Sequence, residues 1–154
     1  MNPAVLSPSG SGFITLLEAF RATGGTAPGV IVGPLLEDHH AGDAVSLAKL
    51  ISAGQVFGFE WRASLWLPMF QFDVDDLALK AAPQRVRKAL PPGWSGWALA
   101  SWFATPNAWL DGCSPADTLE ADADAVLRAA RLCEPAETWA HPAVRRRHEV
   151  TARV

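Results

Sequence analysis

A residue whose type and position could do chemistry is Cys113, one of two cysteines. It precedes a Ser-Pro pair typical of a helix start, and a thiolate is favoured near a helix N-terminus. A cysteine nucleophile also needs a base, and the sequence assigns none: His39 and His40 are distant, and the other two histidines lie near the C-terminus. We therefore expect Cys113 to be a small residue beside a helix start, and we expect the protein not to be an enzyme.

The segment 37–43 contains the other side chains that could bind a ligand. Adjacent His39 and His40 point in different directions on a helix, whereas zinc ligands on a helix lie three or four residues apart on one face. We expect a solvated helix end here. The glycine pairs lack both the following Lys-Ser/Thr and the G-x-G-x-x-G spacing of phosphate-binding loops. The sequence therefore predicts neither a metal site nor a cofactor.

The order of elements in residues 30–72 suggests DNA binding as an alternative function. Two predicted helices joined by a turn at 40–43 and followed by a hairpin have the order of a winged helix-turn-helix. The reading helix would be 43–53, where Lys49 is the one cation, and the hairpin adds only Arg62. Proteins that bind a DNA groove usually contact the phosphates with several Lys or Arg side chains. The sequence therefore favours the interpretation that this helix and hairpin pack together in the protein core.

The composition fits one domain with a large apolar core. The chain has 154 residues, is 49% hydrophobic, and carries seven Trp and seven Phe with a net charge of −3, which gives no general argument for nucleic acid. Neither a secretory signal nor an apolar run of membrane-spanning length is present. We expect a cytoplasmic protein with reduced thiols and no membrane contact. Charge is uneven, because residues 111–124 are acidic and arginines crowd the C-terminus.

Periodicity predicts the elements of the first two thirds of the chain. After a flexible leader at 1–12, apolar residues from Phe13 to Phe20 repeat with helical spacing, and a shorter helix follows at 30–38. Asp43 is the expected cap of a third helix, which ends at Gly54 and closes an N-terminal helical region at 13–54. Period-two alternation over 56–72 predicts a β-hairpin, whose second strand should be an edge or bulged strand at Pro68. A short helix at 83–90 completes the segment 55–94.

The C-terminal third is predicted to be a small bundle of short helices at 95–135. Ser95 caps a helix through Phe103, and Thr105 with Pro106 is the expected cap and first residue of one further turn. Ser114 opens an S-x-x-D capping box with Pro115 in the first turn, and apolar residues repeat from 123 to 130. Residues 136–154 form a basic extension. The predicted fold class is mainly α with one β-hairpin, an α+β fold.

Five aromatic side chains in this bundle are too many to be buried entirely in so small a unit. We expect some of them in the core and the rest in an exposed patch, of the kind that marks protein interfaces. The five are Trp94, Trp97, Trp102, Phe103 and Trp109.

The stretch WFATPNAWLDGCSPADTL at 102–119 resembles the signature of the toxin-binding domain of Xre/MbcA/ParS-type antitoxins, and FEWRASLWLPMFQFD resembles the segment upstream of it. Together the two resemblances cover about residues 45–132. The matching positions are Trp102, Phe103, Thr105, Pro106, Asn107, Leu110, Gly112, Pro115 and Leu119. One feature of many members is missing, because residues 1–54 show no clear Xre-like helix-turn-helix.

The resemblance implies a type II antitoxin that self-associates and binds a toxin encoded nearby. The toxin would be an NAD-consuming enzyme of the RES class or a relative of ADP-ribosyltransferases, and the antitoxin would occlude its active site. Structural roles in the motif fall to Thr105, Pro106, Gly112, Ser114, Pro115 and Leu119. Contacts with the toxin would come from Trp102, Phe103, Asn107, Trp109 and Leu110, with Arg145, Arg146 and Arg147 in a tail that plugs the toxin's site.

Overall fold

The structure is a computed structural model, which describes residues 8–39 and 46–133. Its first element is α1 (Gly10–Phe20), which Ser9 caps by accepting a hydrogen bond from the Gly12 N–H at 3.2 Å. The helix predicted from Phe13 is confirmed, but it begins three residues earlier because of this cap. The predicted leader at 1–12 therefore overlaps the helix, and residues 1–7 lie outside the described residues.

Two further helices follow, as predicted. Helix α2 (Gly29–His39) and helix α3 (Leu47–Ser52) pack against each other. The Ser46 hydroxyl caps α3 by accepting from the Lys49 N–H at 3.2 Å. Asp43, the predicted cap, lies outside the described residues.

The predicted hairpin is confirmed, but it belongs to a three-stranded antiparallel sheet. Strands β2 (Phe59–Trp61) and β3 (Ser64–Pro68) form the hairpin, and β1 (Thr26–Pro28) pairs with the other side of β3. The strand order is β1-β3-β2, so the second hairpin strand is the central strand of the sheet. Its pairing with β2 ends at Trp66, however, so at Pro68 it pairs with β1 alone, as an edge would. Pro68 is tolerated in the central strand because it is the last residue, opposite Thr26.

The chain leaves the sheet earlier than the alternating pattern suggested. After Pro68 a 3₁₀ turn, Met69–Gln71, replaces the predicted continuation of the strand to Phe72. Both Phe70 and Phe72 are buried in this turn and the residue after it. The turn therefore buries Phe70 and Phe72, the two side chains that a continued strand would also have placed on its buried face.

Four helices and a 3₁₀ turn form the rest of the described residues, up to Cys133. Helix α4 spans Ala81–Ala89, and α5 (Gly96–Ala104) is capped by Ser95 as predicted. A 3₁₀ turn (Ala108–Leu110), α6 (Pro115–Thr118) and α7 (Ala123–Arg131) follow. The predicted fold class, a mainly helical α+β protein with short helices in the C-terminal third, is confirmed.

Two apolar clusters form the core. The larger one brings Leu16 and Phe20 of α1 together with Phe103 of α5 and Val126 of α7. The smaller one lies between α2, α3 and the sheet, with Leu67 at 0% exposure. Residues on both sides of the predicted segment boundaries at 54 and 94 therefore pack in the same core.

Within the described residues, none of the helices combines the length and apolar character that a membrane crossing requires. The longest of them, α1 and α2, have 11 residues each.

Candidate interaction surface

Three of the residues predicted to contact a toxin are inside the protein. Phe103 is fully buried and stacks on Phe57 with ring centroids 5.5 Å apart. Trp102 is 3% exposed and Leu110 6% exposed. In the folded chain these three side chains offer almost no surface to a partner, and their contact with a toxin stays a prediction.

The helix α5 explains why sequence spacing missed this burial. All residues from Ala98 to Ala104 are buried, because α5 packs against α1, α6 and β2. Of the five aromatic side chains expected to be divided between core and surface, Trp94, Trp102 and Phe103 are buried and Trp97 is half-buried, with its indole N–H donated to the Glu60 carbonyl at 2.6 Å. Trp109 is the exposed one, at 68%.

Trp109 is presented by a closed turn, residues 106–113, which we call the Trp109 turn. Asn107 holds both ends of it: its N–H donates to the Cys113 carbonyl at 2.9 Å, and its carbonyl accepts from the Gly112 N–H at 3.0 Å. The Asn107 side chain also accepts from the Trp109 N–H at 2.9 Å. The indole therefore projects from a backbone whose conformation is set by hydrogen bonds on both sides.

The helix start inside this turn differs from the prediction in its capping residue. Asn107 is the cap of the 3₁₀ turn, whereas Thr105 ends α5 and donates its hydroxyl to the Ser101 carbonyl at 2.5 Å. Pro106 lies between the two elements and is exposed. The 3₁₀ turn ends at Leu110, and the next two residues have positive φ: Asp111 at 55° and Gly112 at 80°, a conformation that favours glycine.

The second predicted helix start forms as expected. The Ser114 hydroxyl accepts from the Asp117 N–H at 3.1 Å, and Pro115 is in the first turn of α6. Leu119 follows this helix and is 4% exposed. These contacts fix the residues on the far side of the Trp109 turn, so the turn is held between two capped elements.

The other residues considered in the sequence analysis are the tail arginines, Cys113 and the possible metal ligands. Arg145, Arg146 and Arg147 lie outside the described residues. Cys113 is exposed, and its backbone helps to close the turn. In the part of the chain that the structure describes, no group of three His, Cys, Asp or Glu side chains comes together as a metal site.

A groove that sequence reasoning did not find lies beside α6. It has a volume of about 830 Å³ and a floor that includes Phe70, Phe72 and Leu119. At its edge Lys80 donates a hydrogen bond of 2.6 Å to Glu120, and this bond and the positive charge lower the pKa of the Glu120 carboxyl below its ordinary value. The two residues are 40 positions apart, so no local pattern could have predicted the pair.

No family model matches the chain, and neither a curated protein nor a solved structure does. The fold and the surface define a mainly helical α+β protein whose Trp109 turn presents an exposed tryptophan.

Proposed function

We propose that this protein is the antitoxin of a type II toxin-antitoxin pair and that it binds its toxin through the Trp109 turn. The proposal is supported by the resemblance of residues 102–119 to the toxin-binding signature of Xre/MbcA/ParS-type antitoxins. The observation that carries it is the 68% exposure of Trp109 within this motif, on a turn closed by hydrogen bonds.

The free energy lost on docking depends on how freely the indole moves before it docks. An exposed indole on a flexible loop loses conformational entropy when it docks, whereas one on a hydrogen-bonded turn has lost much of it already. Tryptophan is also the side chain most enriched among residues that dominate interface energies. Trp109 therefore has the chemistry of an anchor that inserts into a pocket of a partner.

The partner implied by the resemblance is an NAD-consuming RES-type toxin or an ADP-ribosyltransferase-type toxin, whose active site the antitoxin would occlude. The tail residues Arg145, Arg146 and Arg147 are proposed to contribute to this occlusion, and the protein is proposed to self-associate. An antitoxin of this kind acts by binding and needs no catalytic group or cofactor of its own.

The test is co-expression with the product of the neighbouring reading frame. We expect the wild-type chain to restore growth and to co-purify with that product. Trp109→Ala should weaken both, whereas Ile14→Ala, which removes another exposed apolar side chain (61% exposed) on α1, should weaken neither. Deletion of residues 136–154 tests the tail separately. If Trp109→Ala and the deletion both leave rescue and complex formation intact, the assigned surface is wrong.

A second candidate function is a DNA-binding regulator, and the sheet provides an observation in its favour. The order α1, β1, α2, α3, β2, β3, with β1 paired to β3, extends the predicted winged helix-turn-helix order by one strand. The charges argue against it: Lys49 is the only cation of α3, and Arg62 at the hairpin tip lies over the Trp61 ring at 5.3 Å. Binding to its own promoter at low salt, lost on changing Lys49 and Arg62 to Ala, would support this candidate.

A further inference from the structure

The groove beside α6 has an apolar floor and an acidic edge. Phe72 on its floor is fully buried, Leu119 is 4% exposed, and Val74 at its margin is 76% exposed. A volume of about 830 Å³ lies within the range of sites that enclose a ligand or an anchoring side chain. The groove therefore has room for a large apolar side chain together with its neighbours.

The charges around the groove are mostly negative. Asp117 and Glu120 line it and are exposed, and Lys80 is the one lining cation. Asp75 follows Val74 at the margin, and its side chain is exposed as well. Because the positive charge of Lys80 is already paired with Glu120, the remaining carboxylates favour an occupant that brings its own cations.

The sequence of this chain contains a segment with that chemistry. Residues 139–147 read WAHPAVRRR, an apolar run that begins with Trp139 and is followed at once by three arginines. These residues lie outside the described part of the chain, whose last residue is Cys133.

The position of α7 brings this segment within reach. Ala123, the first residue of α7, lines the groove. From Ala123 to Arg131 the helix rises about 12 Å, and the eight residues from Arg131 to Trp139 can extend over about 26 Å. The chain is therefore long enough to turn back along α7 and to place Trp139 over the groove floor.

We propose that residues 139–147 of the same chain dock in this groove, with Trp139 on the apolar floor and the arginines beside Asp117 and Asp75, the carboxylates that remain once Lys80 pairs with Glu120. Tethering supports such a contact, since a short linker raises the effective concentration of the segment to the millimolar range. The docking concerns the chain alone and does not require the proposed toxin. If the segment also enters a toxin, the groove and the toxin compete for it.

The test uses the full-length ¹⁵N-labelled protein and its amide NMR spectrum. Changing Arg145, Arg146 and Arg147 together to Ser should shift the amides of Leu119, Glu120 and Ala123 and leave those of α2 in place. The matched control Arg153→Ser removes an arginine outside the segment and should leave all of these amides unchanged.

A second measurement checks the contact from the groove side. A synthetic peptide of residues 136–150, added to the triple arginine variant, should return the groove amides toward their wild-type positions. The further change Asp117→Ser with Asp75→Ser should weaken this peptide binding at least tenfold. In the control Glu18→Gln, which removes an exposed carboxylate of α1, binding should be unchanged.

Three results would overturn the inference. The first is a triple variant whose groove amides coincide with those of the wild type. The second is a set of shifts that lies elsewhere on the protein. The third is a groove signal that changes on tenfold dilution, because that would place the segment of a second copy in the groove rather than the chain's own.

Discussion

Replacement of Gln71 by Met should destabilise the protein strongly, because the Gln71 side chain joins the 3₁₀ turn after β3 to Phe57 in the segment before β2. Its side chain is 3% exposed. It accepts from the Phe57 N–H at 2.9 Å and donates both to the Phe57 carbonyl at 2.9 Å and to the Pro68 carbonyl at 3.0 Å. Met has a similar volume but can replace none of these three bonds.

The expected loss of stability follows from the groups left behind. An unpaired buried N–H or carbonyl costs about 1–3 kcal/mol. At the lower part of that range, about 1–1.7 kcal/mol each, losing partners for the Phe57 N–H and the two carbonyls costs about 3–5 kcal/mol in total. The apolar Met side chain offsets about 1 kcal/mol of this. The free energy of unfolding should therefore fall by about 2–4 kcal/mol, a large part of the total for a domain of this size.

Urea unfolding measures this change directly. With a slope of about 2 kcal/mol per molar urea, the midpoint should fall by about 1–2 M while the slope stays the same. The control Gln84→Met removes a half-buried amide whose single hydrogen bond to the Lys80 carbonyl is 3.4 Å long, and it should change stability by about 0.5 kcal/mol or less. A loss below about 1 kcal/mol for Gln71→Met would refute the reasoning.

Three further changes test other contacts. Gly96→Ala should lower the free energy of unfolding by about 2–4 kcal/mol, because an added Cβ would lie 1.8 Å from the Gly58 carbonyl oxygen and force α5 away from the segment before β2. An unchanged melting temperature would contradict this close approach. Ser114→Ala should cost about 1 kcal/mol through loss of the α6 cap, as measured by thermal unfolding, and no loss would contradict the capping role. Lys80→Met should raise the pKa of Glu120 toward its ordinary value, which carboxyl ¹³C NMR follows. Because the pKa of Glu120 is lower in the folded protein than in the unfolded chain, the ion pair stabilises the fold at pH values above the unfolded pKa. This stabilisation is lost as the pH falls through the folded pKa. If Lys80→Met loses as much stability on acidification as the wild type does, the pairing is contradicted.

Local signals predicted most of the helices correctly. The stripe from Phe13 to Phe20 and the Ser95 and Ser114 caps each depend on residues within one or two turns, so sequence spacing was sufficient. Strand β1 was missed because its three residues, Thr26–Pro28, are too few to show an alternating pattern. Its pairing partner lies about 40 residues away along the chain.

The site was harder to predict than the fold, because burial depends on contacts between distant elements. The apolar residues of α5 leave no polar face that would indicate its orientation, so Trp102 could not be separated from Trp109 by pattern alone. The choice between Thr105 and Asn107 as cap depended on which side chain reaches the free N–H groups after Pro106. Asn107 does so because its side chain bonds two residues ahead.

The central claim, that the Trp109 turn is the binding surface for a toxin, is tested most directly by calorimetry with the purified product of the neighbouring reading frame. We predict a stable complex with the wild-type chain and binding at least about 30-fold weaker for Trp109→Ala, the loss expected for an anchor worth about 2 kcal/mol. Thermal unfolding of the variant should match the wild type, since the side chain is exposed. Equal affinities of Trp109→Ala and wild type, or no complex with the wild type, would contradict the account.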